Sequence, residues 1–241
     1  MKIYKAKDYE HLSQIAANIL AAQVTLKPDS VLGLSTGQTP IGTYKKLVEK
    51  YKSGDLCFNK VVGINLDEYY GLGADNPQSY AYFMNNNLFN HVNINTENVH
   101  IPNGLSQDIF AECTRYDEVI AKNPIDIQLL GIGSNGHIGF NEPDAELKLN
   151  THYITLAKAT IDTNKRYFKN EYEVPKMAYT MGIKQIMHAK KILLLASGES
   201  KAEILRKAFK GSLTTNVPAS LLQMHRNLII VGDEAALKGV F

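Results

Sequence analysis

The sequence predicts a single α/β domain built on an open, mostly parallel β-sheet with helices on both faces. Short runs of β-branched and aliphatic residues alternate with longer segments whose apolar residues recur at helical spacing. No internal repeat, low-complexity tract or Pro/Gly-rich linker divides residues 1–241. With 44% hydrophobic residues, a chain of this length can bury a large core as one domain.

The strands and helices alternate in an order typical of strand-helix-strand units. Predicted strands span residues 30–34, 61–66, 125–130, 191–196 and 227–231. Predicted helices span residues 8–24, 41–51, 78–89, 107–121 and 200–210. Residues 147–176 fit this alternation poorly, because they are polar and rich in Lys, Asn and Thr yet lie between two core strands. We expect this segment to be a mobile lid over a site.

Composition excludes several classes of function. A net charge of +2 with scattered Lys and Arg does not indicate a nucleic-acid surface, so no nucleic-acid partner is expected. Cys57 and Cys113 are too few for a disulfide framework and lack the spacing of metal ligands. The charged N-terminus and apolar runs of about five residues indicate neither a signal peptide nor a membrane span. We expect a soluble, cytoplasmic protein without membrane partners.

Four polar segments follow predicted strands, where open α/β sheets bind their ligands. They are GLSTGQTP (33–40), NLDEYYGL (65–72), GIGSNGHIGFNEP (131–143) and SGESKA (197–202). The first contains G-x-S-x-G, a pattern found at the nucleophile of α/β-hydrolases, but only about thirty residues precede its serine, too few for that fold. The segment better fits an anion site made by hydroxyls and backbone N–H groups at a helix start aided by Pro40. An ordinary turn is the alternative. The candidate residues are Ser35, Thr36, Gly37 and Thr39.

The third segment begins with G-x-G-x-x-G, a pattern that also occurs in dinucleotide-binding loops. Those loops need a helix at the third glycine and an acidic residue about 20 positions later. Pro143 and further glycines oppose the helix, and residues 151–160 contain no acid. The glycines instead allow sharp turns that bring Asn135, His137 and Glu142 to the strand end. For a lone histidine, a tight turn with a hydrogen-bonded ring is the alternative.

The second segment places two carboxylates, Asp67 and Glu68, directly after a strand. Successive side chains of an extended chain point to opposite sides, so at most one of them can face a given pocket. Taken alone, such a pair is more often a cap or a solvated turn.

Taken together, the four motifs resemble those of the glucosamine-6-phosphate deaminases over essentially the whole chain. The related 6-phosphogluconolactonases have Asp-Glu-Arg where this chain has Asp67, Glu68 and Tyr69, and GFNEP at 139–143 favours the deaminases. The resemblance implies a Rossmann-like fold and no metal or organic cofactor. It also implies conversion of α-D-glucosamine 6-phosphate and water to D-fructose 6-phosphate and ammonia, in the catabolism of N-acetylglucosamine.

The resemblance also implies roles for individual residues. Asp67 matches the base that moves a proton from C2 to C1, and His137 matches the group that opens the sugar ring. Glu142 matches the partner that orients the imidazole. Asn135 stands where many members have Asp; it can still accept a hydrogen bond and orient the histidine, but it supplies no charge. The phosphate-binding positions match the 35–39 loop, Arg166 and Lys201, with Arg166 in the predicted lid.

Two alternatives remain open: a lactonase acting on a phosphosugar lactone, and a non-catalytic sugar-phosphate sensor. Such sensors have a DNA-binding helix-turn-helix, whereas this chain begins with the catalytic-type fold. The resemblance also bears on regulation. Family members activated by N-acetylglucosamine 6-phosphate are expected to be hexamers with a longer C-terminal tail. They have Arg and Lys where this chain has His152 and Ile154. We therefore expect a monomer with hyperbolic kinetics and only a small-molecule phosphosugar as partner.

Overall fold

The structure is a computed structural model that describes residues 1–156, 161, 165, 168, 170 and 173–240. Within these residues the strands are β1 (Lys2–Ala6), β2 (Val31–Leu34), β3 (Val62–Asn65), β4 (Asp67–Tyr69), β5 (Val99–His100), β6 (Ile127–Leu130), β7 (His152–Thr155), β8 (Met177–Thr180), β9 (Ile192–Ala196) and β10 (Leu228–Asp233). The α-helices are α1 (Tyr9–Leu26), α2 (Ile41–Lys52), α3 (Tyr80–Asn87), α4 (Ile109–Lys122), α5 (Ile183–Met187) and α6 (Ala202–Lys210).

Seven strands form one parallel sheet in the order β1-β10-β9-β6-β2-β3-β5. From β2 the chain continues outward through β3 and β5, whereas from β6 it continues outward in the opposite direction through β9 and β10. The strand order therefore reverses between the adjacent strands β2 and β6. A crevice forms at such a reversal because the loops leaving the two strands diverge, and it opens at the carboxyl ends of the strands.

Helices cover both faces of this sheet, as the sequence predicts. Successive residues of β6 and β9 pack into different apolar clusters, because side chains alternate across a strand. One cluster contains Leu130, Leu194 and residues of α5 and α6, including Ile186 and Leu205. The other contains Leu129 and residues of α1 and α2. Both faces are thus buried, which explains why these strands lack polar alternation.

A second sheet was not predicted. Its three antiparallel strands, in the order β4-β8-β7, pair Asp67 with Thr180 and His152 with Thr180. Acidic residues are rare in strands, so β4 resembles a loop in sequence although all three of its residues are buried. Strand β7 lies within the segment expected to be a lid, so residues 152–155 are sheet. Most of residues 157–172 lie outside the described residues, and the lid remains a prediction.

The two ends of the parallel sheet were also missed. Strand β1 is mostly exposed and rich in lysine, and β5 has only two residues. Cys57 and Cys113 are both free thiols. Among the described residues, no helix has both the length and the apolar character needed to cross a membrane.

Candidate active site

A cavity of about 640 Å³ opens at the strand reversal between β2 and β6. All four segments that the sequence singled out contribute to its wall. The predicted site residues that line it are Ser35, Thr36, Gly37, Thr39, Asp67, Asn135, His137 and Lys201. Glu142 lies directly behind His137, and Arg166 lies outside the described residues. The sequence therefore predicted one connected site.

Asp67 and Glu68 begin β4 and point in different directions. Asp67 lines the cavity but is only 6% exposed, and burial, reinforced by the charge of Glu68, raises its pKa well above the usual carboxyl range. Glu68 accepts hydrogen bonds from the backbone N–H groups of Tyr69, Tyr80 and Ala81, each at 2.8 Å. Burial raises the pKa of Glu68 to about 7 against the opposing effect of these three bonds. The prediction that only one carboxylate faces the pocket is confirmed.

The imidazole of His137 contacts Glu142, one of the two partners that the sequence suggested. The distance from its Nδ1 to Glu142 Oε2 is 3.2 Å. Asn135 Nδ2 donates to the same Glu142 oxygen at 2.6 Å, and Asn135 Oδ1 accepts from the backbone N–H of His137 at 3.2 Å. Asn135 therefore accepts a hydrogen bond from the histidine, as expected from the sequence, but from its backbone N–H and not from its ring. An amide has N–H donors that a carboxylate lacks, so Asn135 binds Glu142 and fixes the carboxylate that holds the ring.

The glycines of residues 131–136 allow this arrangement. A Cβ at Gly133 would lie 2.3 Å from Cε1 of His137, so the imidazole packs directly against the backbone. Gly136 has φ +90°, a conformation that residues with a side chain rarely adopt. The chain then forms an isolated bridge between Ile138 and Asn141 rather than a helix. This geometry supports a histidine-presenting loop and excludes the helix start that dinucleotide binding requires.

The loop after β2 offers donors for an anion. In the described residues, the backbone N–H groups of Thr36, Gly37 and Thr39 have no acceptor, and neither does the buried hydroxyl of Ser35. The start of α2 contributes less than expected, since Pro40 lacks an N–H and the N–H of Gly42 donates to the hydroxyl of Tyr9. The side chains and N–H groups of the loop therefore supply most of the anion donors.

Lys201 approaches the same cavity from the other side of the strand reversal. It ends a short 3₁₀ turn, Glu199–Lys201, that directly precedes α6. Its Nζ donates to the carbonyl oxygen of Ile132 at 2.7 Å, and burial lowers its pKa. A half-buried ammonium fixed in this way remains available to an anion, because its nitrogen has three donor hydrogens.

Sequence analysis missed the aromatic wall of the cavity. The rings of Tyr69 and Tyr80 lie 4.6 Å apart between centroids, and Tyr80 stacks on Phe140 at 6.0 Å with 14° between planes. Phe83 and Phe168 also line the cavity. Tyr69 and Phe140 belong to the motifs that the sequence singled out, so these two rings could have been predicted to line the site. Tyr80 and Phe83 come to the site only through the position of α3.

Comparison with known proteins agrees with this geometry. The profile of the glucosamine-6-phosphate isomerases/6-phosphogluconolactonase family matches residues 6–231. The glucosamine-6-phosphate deaminase of Thermoanaerobacter sp. (strain X514) is 54% identical, with coverage of 98% of this chain and 94% of its own. That of Lachnoclostridium phytofermentans is 55% identical, with coverage of 96% and 98%.

Solved structures show the same relationship. A monomeric glucosamine-6-phosphate deaminase superposes with a TM-score of 0.96 at 46% identity, covering 99% of this chain and 100% of its own. The 6-phosphogluconolactonase from Thermotoga maritima has a TM-score of 0.76 at 21% identity, covering 97% and 99%, and shares the fold. With a matching profile and close relatives over nearly its full length, the chain belongs to the glucosamine-6-phosphate isomerase/6-phosphogluconolactonase family.

Proposed function

We propose that this protein converts glucosamine 6-phosphate and water to fructose 6-phosphate and ammonia. The observation that supports this most directly is a buried carboxylate, Asp67, facing the same cavity as the His137–Glu142 pair. The relatives named glucosamine-6-phosphate deaminase are more than half identical to the chain, and this further supports the reaction.

The reaction begins with opening of the sugar ring. A group must move a proton between the C1 hydroxyl and the ring oxygen, and an imidazole suits this because it titrates near neutral pH. We assign this step to His137. Glu142 fixes the ring by its contact with Nδ1 and stabilises the imidazolium that forms during transfer.

The open chain has an aldehyde at C1, which makes the C2 proton acidic enough for a carboxylate to remove. We assign Asp67 as this base. Its raised pKa makes the carboxylate a stronger base than an exposed aspartate. Asp67 returns the proton to C1, while the amine loses a proton and the C1 oxygen gains one, so C1 becomes a CH2OH group and a C=N bond is left at C2. Water then adds to C2 and ammonia leaves, so the two products account for every atom of the substrate and water.

The phosphate anchors the substrate in the same cavity. The loop at residues 35–39 supplies hydroxyls and N–H groups, and Lys201 supplies a positive charge. We propose that Arg166, which lies outside the described residues, adds a second cation from the lid segment. Remote binding of this kind fixes C2 near the base without taking part in the chemistry.

An ammonia-release assay tests the proposal directly. Purified protein is incubated with glucosamine 6-phosphate, and ammonia and fructose 6-phosphate are measured by coupled enzymes in separate reactions. Equal amounts of both products are expected. Hydrolysis of 6-phosphogluconolactone without ammonia release from the amino sugar would instead identify a lactonase, and phosphosugar binding without turnover would identify a sensor.

We further propose that the protein acts as a cytoplasmic monomer in amino-sugar catabolism. The two free thiols are compatible with a reducing compartment. The superposable deaminase structure is that of a monomer. Light scattering after size-exclusion chromatography should therefore give a mass near 26.8 kDa.

A further inference from the structure

The loop that presents His137 and Glu142 contacts a threonine of the second sheet. Thr180, the last residue of β8, is completely buried, and its Oγ1 accepts a hydrogen bond from the backbone N–H of Phe140 at 3.1 Å. Thr180 is also the antiparallel partner of Asp67 in β4. Its backbone therefore positions the carboxylate while its side chain positions the loop.

A second contact binds the same loop next to this threonine. Asn141 is 2% exposed, and its Nδ2 donates to the carbonyl oxygens of Ile138 at 2.9 Å and Met181 at 2.8 Å. The N–H of Met181 in turn donates to the carbonyl of Leu66 at 2.9 Å, one residue before Asp67. The loop and the strand that presents the carboxylate are thus joined through residues 180 and 181.

The packing around Thr180 leaves the loop little freedom. Gly139 adopts φ +59°, and a Cβ there would lie 2.9 Å from Thr180 Oγ1 and 3.2 Å from the side chain of Leu66. A methyl group in place of the hydroxyl is larger and cannot accept the N–H of Phe140. Leaving that buried N–H without a partner is costly, so the loop would move to satisfy it.

We propose that Thr180 is a positioning residue for the deamination, an inference that rests on the proposed function. It does not line the cavity. Its hydroxyl fixes the distance between the His137–Glu142 pair and Asp67, so that ring opening and C2 proton transfer act on one bound substrate. A displacement of about 1 Å in such an arrangement can lower the rate by about 10².

Two substitutions of Thr180 distinguish loss of the hydrogen bond from loss of the side chain's shape in the strand. Thr180→Val keeps the branched shape that strands favour but removes the acceptor, and Thr180→Ser keeps the acceptor. We expect kcat to fall at least about tenfold in Thr180→Val and to stay within about threefold of wild type in Thr180→Ser. The inhibition constant of inorganic phosphate should change less than about twofold in both, because the phosphate loop follows a different strand.

Thr151→Val is the matched control. Thr151 is also buried, and its hydroxyl donates to Gln185 Oε1 at 3.2 Å, away from the cavity. Its kcat should remain within about twofold of wild type, as expected for a loss confined to stability. The inference is overturned if kcat of Thr180→Val also stays within about twofold of wild type, or if kcat of Thr180→Ser is as low as that of Thr180→Val. It is also overturned if Thr151→Val loses as much kcat as Thr180→Val.

The failure of the proposed function would be distinguishable from failure of this inference. If wild-type protein releases no ammonia, the proposed function fails, and NMR of the His137 imidazole decides the role of Thr180 without turnover. Thr180→Val should then shift the imidazole resonances, while Thr180→Ser and Thr151→Val should leave them in place. Unchanged resonances in Thr180→Val would overturn the inference.

Discussion

Asp67 and Glu68 show how neighbouring residues of one type acquire different roles. The strand directs Asp67 into the cavity, where burial raises its pKa. It directs Glu68 onto the N–H of its neighbour Tyr69 and onto two backbone N–H groups at the start of α3. The sequence predicts this division because alternation is a property of the backbone. It could not predict that Asn135 binds Glu142 instead of the imidazole, or that Thr180 contacts the loop, because those contacts depend on tertiary structure.

Asp67→Asn should abolish turnover while leaving phosphate binding intact. The amide cannot take the C2 proton, and general bases contribute on the order of 10²–10⁴-fold. Ammonia release and the inhibition constant of inorganic phosphate are measured on the same preparation. Activity within about threefold of wild type would exclude Asp67 as the base.

The raised pKa of Asp67 also predicts a pH dependence. The base must be ionised, so kcat/KM should fall with decreasing pH along a limb that lies above the range of an ordinary carboxyl, about pH 4. Folding favours the protonated form, so stability should be lost as pH rises through the folded pKa of Asp67. Asp67→Asn removes this loss and should have a Tm above wild type by a margin that grows with pH.

Thermal melts between about pH 4 and pH 8 measure this margin, because the unfolded carboxyl titrates near pH 4. Asp55→Asn, at an exposed aspartate that accepts a bond from Ser53, is the control and should show no such growth. A margin for Asp67→Asn that shrinks as pH rises would contradict the sign of the shift.

At the scale of elements, the sequence predicted the helices and strands whose apolar spacing is clearest. The five predicted helices and five predicted strands all exist, with ends displaced by a few residues, because their apolar spacing is dictated by the two covered faces of the sheet. Strands β4, β5, β7 and β8 were missed because they have two to four residues and little apolar pattern, and β1 was missed because it is mostly exposed. The sheet that presents Asp67 was therefore not predicted, and neither were the two outer strands of the parallel sheet.

The loop after β6 provides a prediction at this scale. Gly133→Ala would place a Cβ within 2.5 Å of three atoms of the His137 ring, so the imidazole must leave its place against the backbone. We expect a loss of kcat of at least about tenfold, with little change in phosphate inhibition. In the same loop, a Cβ at Gly131 would have no atom within 4 Å, so Gly131→Ala should lose less activity. An equal loss in both variants would contradict the role assigned to Gly133.

At the scale of the whole molecule, the strand reversal brings distant segments together. The loop after β2 and the loop after β6 are about a hundred residues apart in sequence, yet β2 and β6 are adjacent in the sheet. The 6-phosphogluconolactonases with about 20% identity share this architecture, so the fold alone does not specify the reaction. The chemistry depends on the side chains placed at the strand ends.

Strand β7 contains the two positions at which the resemblance to effector-activated family members would imply Arg and Lys. His152 Nδ1 lies 3.0 Å from the carbonyl oxygen of Asn150, and burial lowers the pKa of its imidazole. The hydrogen bond to Asn150 and the charge of Asp117 raise this pKa, the positive charge of Lys148 lowers it, and the net shift is downward. Ile154 packs against the apolar cluster that contains Tyr69. Neither position provides a positive charge at neutral pH.

N-acetylglucosamine 6-phosphate should therefore have no activating effect. An effector shifts a conformational equilibrium only by binding one state better than another, and a phosphate dianion needs cations that His152 and Ile154 do not provide. Initial rates against glucosamine 6-phosphate should be hyperbolic and unchanged by the acetylated sugar at concentrations too low to compete for the active site. Sigmoidal rates that become hyperbolic when the acetylated sugar is added would show a regulatory site built from other residues.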